Sequence, residues 1–227
     1  MSNEPHRHFH EELDHLKERL LQMSSQAQEA VHRAVHSVLN RDVELAEQVV
    51  VDDPKIDALE VEIEELVTGL LALQQPMAKD LRLLLAALKI SNDLERVGDH
   101  AVNIAQSAKR LVAYRVIAPE PELVEMARLS SDMLAQSLDA FVRSDAAIGR
   151  AVGARDDQVD ALHRSMFRIL ITHMAEDPHV IGAAMELFLV SRNLERVADL
   201  ATNIAEDVVF LVEGKTIKHR SEAKERA

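Results

Sequence analysis

Apolar side chains recur along the chain at alternating spacings of four and three residues, which is the repeat of one face of an α-helix. The first run has nine members: Phe9, Leu13, Leu16, Leu20, Met23, Ala27, Ala30, Ala34 and Val38. The chain has only six Gly and six Pro, and aromatic residues make up 3% of it. Because long helices need few turn-forming residues and few β-branched or aromatic runs, this pattern predicts an all-α protein.

The apolar runs divide into six long helices, three before a linker and three after it. The second helix is interrupted at Asp53-Pro54, where proline fits the first position of a new helical segment. The third opens at Pro76, after a tight corner, and ends near Arg115. The segment 118–121 contains two prolines and no periodicity, so it is predicted to be the linker. The fifth helix is expected to run unbroken from Asp145 to Met174.

An internal repeat relates the two halves of the chain. Residues 93–105 align with residues 193–205 at an offset of 100, and nine of the thirteen positions are identical. Because short connections make consecutive helices antiparallel neighbours, each half is predicted to close as a three-helix bundle. The predicted units are residues 1–117 and 118–214, followed by a charged tail at 215–227 that we expect to be frayed.

Acidic residues four positions apart occur at corresponding places in the two halves, and this spacing stacks them on one helix face. The four pairs are Asp53 with Asp57, Glu95 with Asp99, Asp156 with Asp160, and Glu195 with Asp199. Like charges at this spacing destabilise a helix slightly, so their duplication indicates a compensating role.

Helix geometry predicts that the acidic pairs of each half meet. Counted from the corner at Gln75, Asp57 lies 18 residues before it and Glu95 lies 20 after it. Asp53 lies 22 before and Asp99 lies 24 after. In an antiparallel hairpin that rises about 1.5 Å per residue, these positions have nearly equal heights. Each half is therefore expected to gather four carboxylates on two facing helices.

Two interpretations of these carboxylates stay open. Carboxylate oxygens suit hard cations and, with imidazole nearby, iron, manganese or zinc. His100 follows Asp99, whereas Leu200 follows Asp199, so any imidazole contribution is asymmetric. The other interpretation is a solvated acidic stripe in which the neighbouring arginines, Arg96 and Arg196, form ion pairs.

Composition restricts the other functional classes. The formal net charge is −13, and such an acidic surface repels phosphate backbones, so no nucleic-acid partner is expected. The chain has no cysteine, which excludes disulfides and thiolate catalysis. The first ten residues lack the apolar segment of a signal peptide, and no apolar run reaches the roughly 20 residues that a transmembrane helix needs. We therefore expect a cytoplasmic protein without a transmembrane segment.

Several motifs together resemble the PhoU family of phosphate-signalling regulators, and the resemblance covers nearly the whole chain. The motifs are the opening His8-Phe9-His10, the corner Gln74-Gln75-Pro76, the run 86–105, and the runs 192–199 and 201–214. The resemblance implies two similar three-helix bundles and a homodimer. It also implies a negative regulator of the phosphate-starvation response and of phosphate uptake, acting as an adaptor between the phosphate ABC transporter and a sensor histidine kinase.

The resemblance further implies metal on the acidic pairs, since some PhoU proteins carry iron or zinc there. This chain departs from the family pattern at Pro54, inside the first pair, and at Leu200, where a histidine is expected. The alternative function is a carboxylate-bridged metal-binding protein, for storage or as a metalloenzyme. Di-iron bundles use Glu-x-x-His, but Gly98 and Ala198 stand three residues after Glu95 and Glu195, and no nucleophile–base motif occurs. We therefore expect an adaptor and not an enzyme.

Overall fold

The structure, a computed structural model, describes residues 4–74, 76–118, 120–215 and 217, with side chains from Phe9 onward. This part of the chain contains α-helices and no strand. The helices are α1 (Glu4–Asn40), α2 (Val43–Asp52), α3 (Pro54–Gln74), α4 (Ala78–Leu111), α5 (Pro121–Arg143), α6 (Ala146–Gly153), α7 (Asp156–Glu176) and α8 (Ile181–Glu213). The all-α prediction is confirmed, and the six long helices are present if α2–α3 and α6–α7 each count as one.

The second helix of each half is broken just before its acidic pair. Pro54 begins α3, as its fixed φ favours, and the carbonyl of Asp53 still accepts hydrogen bonds from the amides of Ile56 and Asp57. The expectation of an unbroken fifth helix was wrong. Gly153 ends α6 and Arg155 precedes α7, which is the place that corresponds to the first break. Glycine is a poor helix former, which favours a break at this point. The internal repeat also aligns this segment with the break at Asp53-Pro54.

The helix ends differ slightly from the predicted ones. The third long helix, α4, begins at Ala78 and not at Pro76, with Met77 in an extended conformation before it, and it ends at Leu111 and not near Arg115. Gly214 ends α8 with a φ of +68°, a left-handed conformation that glycine adopts without strain. The corner residue Gln75, the linker residue Pro119, and residues 216 and 218–227 of the predicted frayed tail lie outside the described residues.

The two halves share one core, with α4 and α8 at its centre. The packing of α4 against α8 is the most extensive between any two helices, and each also packs on the long first helix of its own half. The two helices run antiparallel, which is shown by three contacts: Arg82 with Leu211, His100 with Asn193, and Arg110 with Glu186. Both helices bury many small side chains; the fully buried alanines are Ala86, Ala87, Ala101, Ala105, Ala183, Ala184, Ala198 and Ala201.

Hydrophobic burial follows the predicted stripe of α1 closely. All nine apolar positions of that stripe are at most 8% exposed, and five of them are fully buried. Burial of such a side chain contributes roughly 1.5–3 kcal/mol, so this face is a main source of stability. No helix in the described part of the chain is long and apolar enough to cross a bilayer.

Candidate functional site

The first acidic cluster comprises Asp53, Asp57, Glu95 and Asp99. Asp53 lies at the junction of α2 and α3, Asp57 lies one turn into α3, and the other two lie one turn apart on α4. Because α3 and α4 pack against each other, the acidic pairs of the two helices lie close enough for their charges to interact, as the residue count predicted.

Burial and, secondarily, mutual repulsion raise the pKa values of two carboxyl groups in this cluster. Partial burial raises the pKa of Asp53 to about 6, and the charges of Asp57 and Asp99 add to the shift. Burial likewise raises the pKa of Glu95 to about 7, assisted by Asp99 and Glu60 and, less strongly, by the other two members. Near neutral pH the Glu95 carboxyl is therefore only partly ionised.

Gly98 provides the space into which Asp53 fits. A Cβ at this position would lie 3.0 Å from Oδ1 of Asp53 and 3.1 Å from Cδ1 of Ile56. Such distances are shorter than ordinary van der Waals contact, so any larger residue would move the Asp53 carboxylate. The corresponding residue of the second half is Ala198, which has that Cβ.

The second acidic cluster comprises Asp156, Asp160, Glu195 and Asp199, on α7 and α8. Burial raises the pKa of Asp156 to about 6, with Asp199 and Asp160 as the nearest contributing charges. Burial also raises the pKa values of Glu195 and Asp199, but the Arg196 guanidinium opposes both shifts. The repulsion is of the same kind as in the first cluster, and part of it is neutralised.

Ion pairs distinguish the two clusters. Nη1 of Arg196 donates to Oδ2 of Asp199 at 2.8 Å, and its Nε lies 3.4 Å from Oε2 of Glu195. Arg164 lies 3.6 Å from Asp160. Among the described residues, no basic side chain lies within 4 Å of a carboxylate of the first cluster. The predicted pairing of arginine with the acidic stripe thus occurs in the second half only.

The donor chemistry of the first cluster fits a cation better than that of the second. Four neighbouring carboxylates whose charges raise the pKa values of Asp53 and Glu95, without a basic partner in the described part of the chain, are stabilised by a positive ion. Their side chains do not converge as placed, since no three His, Asp or Glu residues of the described chain are arranged to hold a metal. A bound ion would require rotation of these flexible side chains. Metal binding by all eight residues therefore stays a prediction.

His100 lies away from the acidic pair that precedes it. Its Nδ1 is 2.9 Å from Oδ1 of Asn193, on α8 of the other half, and Nδ2 of Asn193 donates to the carbonyl of Leu189. Since the amide nitrogen is used as a donor, the imidazole Nδ1 carries the proton of this bond. Burial lowers the pKa of His100, which favours the neutral ring. Leu200, at the equivalent place, is buried.

Two residues that shape the first cluster were not singled out from the sequence. Glu60 contributes to the pKa of Glu95, and its position three residues after Asp57 places it on the same face of α3. Gly98 lies in the interior of the continuous helix α4, where glycine lowers stability by about 1 kcal/mol relative to alanine. The spacing of Glu60 from Asp57 and the glycine within a helical run can both be seen in the sequence.

Comparison with known proteins places these features in a family. The PhoU domain matches the chain twice, at residues 20–108 and 123–208. A phosphate-specific transport system accessory protein PhoU homolog of Zymomonas mobilis is 38% identical over 217 residues, which cover 96% of this chain and 92% of that protein. The protein of the same name from Aquifex aeolicus is 39% identical over 209 residues, covering 92% and 95%.

Solved structures agree with the fold described above. The crystal structure of PhoU from Pseudomonas aeruginosa matches with a TM-score of 0.87 and 36% identity, covering 91% of this chain and all of that one. The phosphate transport system regulatory protein PhoU from Streptococcus pneumoniae matches with a TM-score of 0.85 and 30% identity, covering 92% and 99%. With two copies of the domain, relatives similar over nearly their whole length and the same helical architecture, the chain belongs to the PhoU family.

Proposed function

We propose that this protein is a negative regulator of the phosphate-starvation response and of phosphate uptake. The observation that carries the proposal is the full-length similarity to proteins named as phosphate-specific transport system accessory proteins. The regulator holds the starvation genes silent while phosphate is plentiful. Its role depends on binding surfaces of the helical bundle and not on a chemical reaction.

The partners in this proposal are the phosphate ABC transporter and a phosphate-sensing histidine kinase. The protein acts as an adaptor between them from the cytoplasmic side of the membrane, as a homodimer. The proposal includes no catalytic activity, in keeping with the accessory and regulatory roles in the names of the similar proteins.

A deletion strain with a phosphate-responsive reporter tests the proposal. We expect reporter output to stay high in phosphate-rich medium without the gene and to become phosphate-repressible again when the gene is restored. A plasmid that carries the gene with an early stop codon is the control for copy number and burden. A reporter that remains repressed by phosphate in the deletion strain, with no second copy of the gene in the genome, contradicts the role.

A second candidate function is metal binding by the acidic clusters, as in a carboxylate-bridged metal protein. The observation that favours it is the first cluster, where Asp53, Asp57, Glu95 and Asp99 have no basic partner among the described residues. These residues would hold iron, manganese or zinc through carboxylate oxygens, and the ion would supply a positive charge that relieves their repulsion. Metal content after purification in metal-supplemented medium measures it directly.

A further inference from the structure

Four arginines from the two halves line a groove between α4 and α8, which we call the basic groove. They are Arg96 and Arg110 on α4 and Arg192 and Arg196 on α8. The groove has a volume of about 480 Å³, and no carboxylate lines it. In a chain with a formal net charge of −13, such a concentration of positive charge is unexpected on a random surface.

The acidic partners of these arginines lie outside the lining. Arg96 lies 3.6 Å from Asp93, Arg110 pairs with Glu186, and Arg196 pairs with the second acidic cluster. Arg192 has no ion pair or hydrogen bond within the described part of the chain, although it is exposed on the rim. Each guanidinium has five N–H donors, and the observed hydrogen bonds occupy at most two of them, so most donors in the groove remain available.

Arg110 is held in a fixed orientation by two neighbours. Its Nε donates to Oε1 of Glu186 at 2.8 Å, and its Nη2 donates to Oγ of Ser107 at 3.1 Å. The Glu186 side chain is only 11% exposed, and an arginine anchored to a buried carboxylate loses little further freedom when it binds a ligand. This arrangement prepares one wall of the groove for an anion.

His100 adds a hydrogen-bond acceptor to the same groove. Because its Nδ1–H donates to Asn193, the neutral ring has a lone pair on Nε2. The wall therefore combines guanidinium donors with one acceptor that suits a hydroxyl. Phosphate in neutral solution carries such a hydroxyl, whereas sulfate does not.

We propose that the basic groove binds a phosphate-type oxyanion, with the arginines around its unprotonated oxygens and Nε2 of His100 accepting the bond from its P–OH group. Planar guanidinium groups match phosphate oxygens with pairs of parallel hydrogen bonds. The lining contains no Phe, Tyr or Trp on which a nucleobase could stack, so the groove recognises the oxyanion itself. This inference rests on the side chains of α4 and α8 and does not require the regulatory role proposed above.

Calorimetric titration of the full-length protein with inorganic phosphate tests the proposal. The buffer contains a chelator, so that a phosphate bridged by metal at the acidic clusters does not contribute. Sodium sulfate is titrated at the same ionic strength. We expect one saturable phosphate site and clearly weaker binding of sulfate. Absence of saturable phosphate binding, or equal binding of sulfate, overturns the assignment.

Variants connect the binding to the groove. Arg110→Gln with Arg192→Gln should weaken phosphate binding by about tenfold or more, since charged hydrogen bonds are lost. The matched control is Arg128→Gln with Arg143→Gln, which removes the same charge from exposed positions on α5. Equal weakening by both pairs would mean that only net charge matters, and it would overturn the proposal.

His100→Leu tests the acceptor separately. It places in the first half the residue that is already buried at position 200, and circular dichroism checks that the fold is retained. We expect phosphate binding to fall to the level of sulfate while sulfate binding is unchanged. A separate titration of the wild-type protein uses an acidic poly-glutamate peptide. Tight binding of this peptide without binding of phosphate would show a protein-docking surface instead and contradict the oxyanion site.

Discussion

The two acidic clusters differ in how their charge is balanced, although they have the same four positions on corresponding helices. In the second cluster, Arg196 pairs with Asp199 and lies close to Glu195. In the first, Arg96 is the equivalent arginine, but it lies 3.6 Å from Asp93, three residues before it. The position equivalent to Asp93 is Asn193, which has no charge to attract Arg196.

The different pairing of the two arginines thus coincides with one substitution between the halves, Asp93 against Asn193. An aspartate at position 93 draws Arg96 away from the first cluster and leaves four carboxylates to repel one another. An asparagine at position 193 bonds to His100 instead, and Arg196 turns to the acidic pair. Identical motifs therefore have different electrostatic properties because of one neighbouring residue, and a repeated motif does not guarantee a repeated site.

Metal-dependent stability should separate the clusters most strongly. A cation that binds only the folded state at about 100 times its dissociation constant contributes about 2.7 kcal/mol, which raises Tm by roughly 5–10 °C for a chain of this size. We expect Glu95→Gln with Asp99→Asn to abolish this rise in manganese, iron or zinc. Glu195→Gln with Asp199→Asn should retain most of it.

Thermal melting of the three proteins, with each metal and with chelator, provides the measurement. Without metal, the first double variant should be as stable as the wild type or more stable, because repulsion is relieved. An equal rise in all three proteins would show that the metal binds elsewhere. No rise in any of them would favour the interpretation of solvated acidic faces.

Gly98→Ala should disturb the first cluster through shape. The new Cβ would lie 3.0 Å from Oδ1 of Asp53, and overpacking of this kind costs about 1–3 kcal/mol. Alanine favours the helix by about 1 kcal/mol relative to glycine, which offsets part of this cost. We therefore expect a small net loss of stability and a larger loss of the metal-dependent rise in Tm. Ala198→Gly is the matched control, and it should lower stability without changing the response to metal. Both are measured by thermal melting.

Asp93→Asn should make the first cluster behave like the second. Without the aspartate, Arg96 is released to pair with Asp99 and Glu95, as Arg196 does in the other half. We expect the metal-dependent rise to decrease and the pKa of Glu95 to fall toward its ordinary value, which carbon-detected NMR of the carboxyl groups follows. If the pKa of Glu95 stays at about 7, the orientation of Arg96 does not depend on Asp93.

The pH dependence of stability should show the smallest difference. The folded-state pKa of Glu95 is about 7, above the ordinary value of 4.5, so the folded protein binds more protons than the unfolded chain between these values. Stability from this group is present at low pH and is lost as the pH rises through 7. Glutamine does not titrate, so the Glu95→Gln variant does not lose this stability. Its free energy of unfolding should therefore increase relative to that of the wild type between pH 5 and 8. Urea unfolding in metal-free buffers measures the gap, and Glu122→Gln on the surface of α5 serves as control.

The sequence predicted the helices well because their apolar spacing is regular and their core positions are unambiguous. The stripe of α1 and the break at Pro54 both follow from local rules that hold wherever the segment is packed. The break at Ala154 was missed because no proline marks it, and only the repeat connects it with the first break. Helix ends shifted by a few residues, since tertiary packing decides whether the last turn forms.

The candidate site was less predictable than the fold. Residue counting on an antiparallel hairpin correctly brought Asp53 and Asp57 opposite the acidic pair of α4, because a helix has a fixed rise per residue. The direction of His100 and the choice of partner of each arginine depend on contacts between the two halves. The basic groove has the same origin, since its walls come from helices almost 100 residues apart in sequence.

The antiparallel packing of α4 on α8 has a consequence for the order of folding. Contacts within the first half join residues as far apart as Arg41 and Tyr114, 73 positions, and contacts between these two helices reach Lys89 with Asp207, 118 positions, and Arg82 with Leu211, 129 positions. Longer loops cost more entropy to close, and chains rich in distant contacts fold more slowly. The contacts between α4 and α8 that span the longest stretches of chain should therefore be among the last to form, and the docking of these two helices is expected to limit the rate of refolding.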